Sequence, residues 1–348
     1  MTGPSIAVVG AGILGCLVAR EIVTREPGAR VVVLDRDGIG SGASRRSAGL
    51  HFPRGASERV RRMSAYSEDY YERLRASGPV PIYPLAMTIV ARTASTAALH
   101  ETYLDRAKLI TVDRVAGAAV RIPDDAGAWT GEGCQYADVS ALAQELARDL
   151  RPRVSFREGV AVTGIEPRTD GVDVLLGTGE TVPFDWVVLA PGPWVAAPAW
   201  RGLVAPLGVR VKKIVALHIE DRPDEREPAI VFHDEDAFLL PMAHRGHWLF
   251  SYTCQEWDVD PDALRGGLTG DHLAMARHVL ARYAPSLTGR ATSGRVFCDA
   301  YSRDRQPVVR ALDDGGRVVF AGAANGSGYR LAPAIAAEAA DLLALSTV

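Results

Sequence analysis

Residues 5–9 form a short apolar, β-branched run that stops at Gly10; GAGILG follows, and then CLVAREIVTRE, where apolar positions return at helical spacing. The pattern predicts strand, glycine-rich turn and helix. A second apolar run over 30–34 ends at Asp35 and predicts another strand. GVAVTGIEPRTDGVDVLLGTGETVPFDWVVLAPGPWV predicts a β-meander closing into a strand over 186–189 and a tight Gly/Pro turn. Residues 317–321 predict one more buried strand. The segment after it, GAANGSGYRLAPAIAAEAADLLA, takes helical spacing from about Ala332. In the intervening chain, runs over 87–91, 213–219, 229–233, 238–241 and 247–252 predict an antiparallel sheet, with a hairpin turn over 243–246. Residues 140–150 and 260–283 predict helices.

Composition narrows the class. The 348 residues are 47% apolar and 23% charged, the balance of a globular protein of about two domains. A net charge of -3, with neither sign in a long run, implies no nucleic-acid or acidic-lipid stripe. No window reaches eighteen unbroken apolar residues and the amino terminus lacks a basic region, so neither a membrane span nor a signal peptide is expected. Cys16, Cys134, Cys254 and Cys298 show no CxxC or zinc spacing, and the histidines no metal spacing; no metal and a reduced, cytoplasmic location are expected. Only Lys108, Lys212 and Lys213 of the 39 basic residues are lysines, which points to a GC-rich bacterial gene.

The opening motif carries chemistry. Gly10 permits the turn, Gly12 lets backbone approach a pyrophosphate, and Gly15 lets helix pack on strand, while the helix N-terminus offers N–H groups and a positive dipole end. Asp35 stands twenty residues after Gly15, where a carboxylate takes ribose hydroxyls. These residues suit FAD or NAD; an acid there disfavours the 2′-phosphate of NADP.

The loop GIGSGASRRSAGLHFPRG tips the choice. Its Gly42-Ala43-Ser44-Arg45-Arg46-Ser47-Ala48-Gly49, followed by Leu50 and His51, resembles the flavin-contacting segment of the D-amino-acid oxidase family of FAD enzymes, the group of glycine and sarcosine oxidases. VVLAPGPW is similar to a second family segment, and the strand-to-helix passage at Gly322 to a third. The resemblance implies an α/β (α+β overall) fold: a Rossmann-like FAD-binding domain over 1–80, 137–204 and 292–348, with an inserted antiparallel-sheet substrate domain over 81–136 and 205–291. It implies non-covalent FAD contacts from Gly10, Ala11, Gly12, Ile13, Leu14 and Gly15, from Asp35 and Arg36, and from the loop residues Ser44 to Leu50. Further contacts are implied for Val162 beside the adenine, for Ala190, Gly192 and Trp194, and for Gly322, Asn325, Gly326, Ser327, Gly328, Tyr329, Arg330 and Leu331. A helix N-terminus at the last group would face the flavin edge that becomes anionic on reduction.

For activity, the resemblance implies oxidation of the C–N bond of an amino acid or N-substituted amino acid, with dioxygen as acceptor and peroxide as product. Arg330 matches the carboxylate-binding lysine of the sarcosine-oxidase motif GHGFKL. Arg46 and His51 are second choices, with pyrophosphate binding or loop capping as alternatives. Asp299 stands where glycine oxidases carry an arginine, which disfavours simple glycine or D-alanine; it either meets a cationic substrate group or partners a buried arginine. Tyr252, Trp248, Tyr301 and Tyr329 are candidates to line the cavity. Cys298 lies one residue from the family's covalent flavin position, an offset that favours a core cysteine. A specialised bacterial biosynthetic step suits this departure. The rival readings are a flavin-dependent 2-hydroxy-acid dehydrogenase with another acceptor, and a flavin-bearing subunit of a larger complex; oligomeric state stays open.

Overall fold

A computed structural model describes residues 3–117 and 120–343. Its first sheet has six strands in the order Val308–Ala311, Val318–Gly322, Trp186–Leu189, Ser5–Val9, Arg30–Asp35, Val154–Glu158. All neighbours run parallel except Val308–Ala311, which is antiparallel to Val318–Gly322. Helices and a small sheet cover the parallel strands on both faces, which is why Ser5–Val9 and Val318–Gly322 are buried at every position instead of alternating. Helix Ile13–Arg25 packs on this sheet beside helices Val139–Leu150 and Gly328–Leu342. The meander forms a separate antiparallel sheet of Val162–Pro167, Val172–Leu176 and Thr181–Phe184.

The second large sheet has eight strands and an apolar core of its own. It runs Ala291–Tyr301, Arg210–Ile219, His247–Trp257, Ala237–Met242, Ala229–Phe232, Met87–Arg92, Ala126–Gly131, Ile110–Val112. Three expectations need correcting. The sheet is mixed, because Ala229–Phe232 pairs in parallel with Met87–Arg92. Ala291–Tyr301 pairs with Arg210–Ile219 along its whole length, so the boundary at 292 cuts through a strand of the second sheet. The helix expected over 260–283 breaks into the 3-10 segment Pro261–Gly266 and helix Gly270–Tyr283, because Gly267 turns left-handed (φ 65°) and Thr269 caps the new start.

The last helix starts at Gly328, four residues before its expected start, and carries Pro333 inside it. Proline has no N–H to give the carbonyl of Tyr329 one turn back. That carbonyl accepts the buried hydroxyl of Tyr71 instead, at 2.7 Å, which ties the helix to Glu58–Ser77.

Candidate active site

A cavity of about 1200 Å³ lies between the carboxyl ends of the parallel strands and one face of the eight-stranded sheet. A pocket for one small ligand measures roughly 300–1,000 Å³, so this space suits a dinucleotide together with a substrate.

The nucleotide end is made largely of backbone. Gly10 has φ 105°, and a Cβ there would lie 2.3 Å from the carbonyl oxygen of Ala190. A Cβ on Gly15 would lie 1.8 Å from the carbonyl oxygen of Gly10, so Gly15 supports the turn from behind and does not wall the cavity. Gly12 has only the Ser44 hydroxyl near its missing side chain, at 3.2 Å, and is open to the cavity. Asp35 accepts the N–H of Ala11 at 2.7 Å and of Asp37 at 2.8 Å, and burial raises its pKa. Ala11 thus acts by fixing Asp35, not by lining the cavity. Val162, Ala190, Gly192 and Trp194 line its walls. Arg36 stacks over Trp194 at 4.7 Å and pairs with Asp262.

At the opposite wall, Ala323, Asn325 and Gly326 have φ of 50°, 53° and 76°, a sharp left-handed passage into helix Gly328–Leu342. Asn325 holds it by donating to the Ala323 carbonyl (2.7 Å) and accepting the Ser302 N–H (3.0 Å). The first turn of that helix borders the cavity, leaving N–H groups and a positive dipole end for an anion. These features fit FAD: a glycine turn open to phosphate, a carboxylate at ribose distance in the chain, and a helix terminus at the far end.

Beyond Ala11 and Gly15, four more expected contacts are overturned. Arg45 borders a separate small pocket with Gly38 and Ser140, and Arg46 points to the exterior. His51 is wholly buried, edge-on to Tyr71 at 6.1 Å, with its ring against the backbone of Arg330. Burial first, then the charge of Arg330, pushes its pKa to about 3, so it is a neutral core histidine. Tyr252 lies on the other face of its strand and donates its hydroxyl to the carbonyl of His272 at 3.0 Å. Period-two alternation decides this: Ser251 and Thr253 face the cavity, so Tyr252 cannot.

The same alternation puts Phe297, Asp299 and Tyr301 into the cavity and Cys298 and Trp248 out of it; burial raises the Cys298 thiol to about 12. Among the described residues Asp299 has no hydrogen-bonded or ionic partner, and desolvation alone raises its carboxyl to about 6. It is therefore not the partner of a buried arginine. Arg330 lies over the Phe52 ring at 5.0 Å, donates to Ser327 and leaves Nε unpaired. Burial, then the charge of Arg54, lowers Arg330 to about 10, which leaves it a cation at neutral pH. Arg54 lines the same cavity, and neither guanidinium has a carboxylate partner among the described residues.

Sequence reasoning missed Arg54 and Lys212. Arg54 stands just before the last glycine of the GLHFPRG stretch, and only the fold brings its charge to Arg330. Lys212 is buried between Trp257 and Tyr301, its Nζ 4.8 and 5.6 Å from the ring centroids. Its neighbour Lys213 faces the other side and pairs with Glu256, a division that alternation alone would suggest.

Cys254, Glu256 and His272 have ligand atoms within 4.8 Å of one another. His272 Nδ1 accepts the Thr269 N–H at 3.1 Å, so its proton sits on Nε2 and is given to Glu256 at 2.8 Å. With no free ring lone pair, this cluster is a helix cap and not a metal centre.

The fold and site define a flavin-type dinucleotide enzyme with a substrate sheet closing its cavity. Residues 5–342 match the family described as DAO, FAD dependent oxidoreductase, and the chain belongs to that family. It is an FAD-dependent oxidoreductase. It is similar to 4-methylaminobutanoate oxidase (formaldehyde-forming) of Paenarthrobacter nicotinovorans, 30% identical over 254 residues, 66% of this chain and 29% of that protein. The match thus spans less than a third of that relative's length. Glycine oxidase from Geobacillus kaustophilus has a similar structure (TM-score 0.77, 17% identity, 99% of this chain and 96% of that one). So does the L-alpha-glycerophosphate oxidase of Mycoplasma pneumoniae (TM-score 0.80, 17% identity, 100% and 97%). Amine and alcohol oxidases share the fold, so the side chains in the cavity must decide the substrate. Among the described residues no helix is long and apolar enough to cross a membrane.

Proposed function

We propose that this chain oxidises the C–N bond of a carboxylate-bearing amine, primary or N-substituted, in a reducing, cytoplasmic setting, with dioxygen as the final acceptor. The observation that carries this reading is the pair of guanidinium groups, Arg330 and Arg54, left without carboxylate partners in one cavity that also holds the unpaired carboxyl of Asp299. Two planar cations bind a carboxylate through charge-assisted bonds and fix the rest of the substrate by doing so. Asp299 supplies the opposite pole. Ionised above pH 6, it attracts the substrate's ammonium group and accepts its proton, leaving the neutral amine that can lose hydride.

FAD held by the glycine turn, Asp35 and the first turn of the last helix would supply the hydride acceptor and the route for electrons to dioxygen, giving hydrogen peroxide, and the imine would hydrolyse in water. Arg330 has a second use, since its helix N-terminus and its charge favour an anion beside them. Phe52, Ile214, Phe238 and Phe297 give the cavity apolar surface that excludes water from the reacting carbon. The name of the methylaminobutanoate oxidase relative supports an N-methyl amine with a carboxylate.

Anaerobic bleaching of the flavin by a panel of amino acids, N-alkyl amino acids and 2-hydroxy acids tests the proposal. Bleaching by amines, followed by peroxide release on admission of air, is expected. Bleaching by the hydroxy acids alone contradicts it.

A further inference from the structure

The nucleotide site makes no use of the Arg46 side chain. Where Ala291–Tyr301 passes the turn Ala43–Arg46, Arg295 donates Nε to the Arg46 carbonyl at 3.0 Å and places Nη1 2.9 Å from His218 Nε2. His218 packs beside His247, ring centroids 4.5 Å apart, and His247 Nδ1 lies 3.2 Å from the Arg245 carbonyl. The Arg295 guanidinium, two imidazoles and the backbone carbonyls of Arg46 and Arg245 thus form one chain of contacts, and the charges of Arg46 and Arg245 reach Arg295. None of the five lines the cavity.

The patch is short of negative charge. Arg245 pairs with Asp138 at 2.9 Å, but among the described residues no carboxylate pairs with Arg46 or Arg295. Arg295 is partly buried and has only neutral acceptors, an arrangement that is costly for a cation. Burial, then Arg245 and Arg46, lowers its pKa. Burial, then His247, Arg295 and Arg245, pushes His218 down to about 4, so it meets Arg295 as a neutral acceptor. An anion lying across these groups would relieve desolvation and repulsion together.

We propose that Arg46, Arg245 and Arg295, backed by His218 and His247, bind a phosphate-type oxyanion at the outer seam between the flavin loop and the substrate sheet. Guanidinium forks match the paired oxygens of such an ion, which a single ammonium does not. The site joins two working parts. Arg46 shares its turn with Ser44, whose hydroxyl accepts the Ile13 N–H at the nucleotide site (3.0 Å), and Arg295 shares its strand with Asp299. The proposal is independent of which substrate the cavity takes.

The test uses the FAD holoenzyme with labelled histidines, followed by NMR at constant ionic strength. Inorganic phosphate is titrated in one arm and adenosine monophosphate in the other. Saturable shifts of the His218 and His247 ring signals are expected, weakened roughly tenfold or more by Arg295→Gln and by Arg46→Gln. Arg46 is exposed, and an unchanged flavin spectrum verifies that each variant is folded. Equal response in both arms assigns the site to a free oxyanion, and a stronger response to the nucleotide assigns it to a phosphoryl group on a larger ligand. Absence of a saturable shift in both arms, or a shift that both variants leave unchanged, overturns the proposal.

Discussion

The two ends of the cavity are built by different means. At the nucleotide end the working groups are backbone: N–H donors at a helix start, and glycines that let the chain come close, all within the 31 positions from Ser5 to Asp35. At the substrate end they are side chains carried by separate elements, with Arg54 after a short strand, Lys212 and Asp299 on the large sheet and Arg330 in the first turn of the last helix. The first end offers a general phosphate grip with little room for change. On the proposed reading, the second sets specificity by a few charges brought together from separate elements.

The largest effect expected from this contrast is at Gly15. A valine there puts a Cβ within 1.8 Å of the Gly10 carbonyl, so Gly15→Val should yield protein without bound flavin, seen as loss of the visible absorbance band. A variant that retains full flavin would show the turn to be less constrained than its geometry requires.

Asp299→Asn should spare flavin binding and change pH behaviour. The Asp299 carboxyl is raised from 3.8 to about 6 on folding, so the folded protein binds this proton more tightly than the unfolded chain. Asp299 therefore opposes folding when ionised, and its cost falls as pH drops from 7 through 6 towards 4. In the apoprotein the asparagine variant should be more stable by about 1–3 kcal/mol at pH 7 to 8, with the gap closing near pH 4, measured by denaturant melts. In the holoenzyme the variant should lose the rise in amine oxidation through pH 6. An unchanged pH profile removes Asp299 from proton transfer.

The smallest effect is structural. Tyr71→Phe removes the hydroxyl that replaces the missing Pro333 N–H and should cost about 1–2 kcal/mol in a urea melt, with kcat/KM for the best amine within a factor of two or so. A loss of activity without loss of stability would place Tyr71 nearer the chemistry than its buried position allows.

The same contrast explains what could be read in the sequence. The nucleotide end was legible because its spacing is local: strand, glycines, helix and Asp35 follow one another within a single βαβ unit. The last helix was legible in its alanine pattern but not at its start, because Gly328-Tyr329-Arg330 carries no apolar periodicity and Pro333 looks like a break. His51 and Tyr252 failed on parity. Alternation separates His51 from Leu50 and Phe52, and Tyr252 from Ser251, but without a partner strand it does not say which face looks inward. Arg54 and Arg330 are 276 positions apart, and no spacing rule joins them. Ala291–Tyr301 was assigned to the wrong domain for a related reason: an aromatic, apolar strand does not announce its neighbour.

The central claim is that Arg330 and Arg54 hold a substrate carboxylate. It is tested most directly by comparing an N-methyl amino acid that bleaches the flavin with its amide, in wild-type protein and in Arg330→Ala. The account predicts that the wild type prefers the acid by about a hundredfold in kcat/KM, that Arg330→Ala removes most of this preference by lowering the value for the acid alone, and that flavin content is unchanged. If the preference for the acid persists in Arg330→Ala, or acid and amide fall together, the carboxylate is held elsewhere.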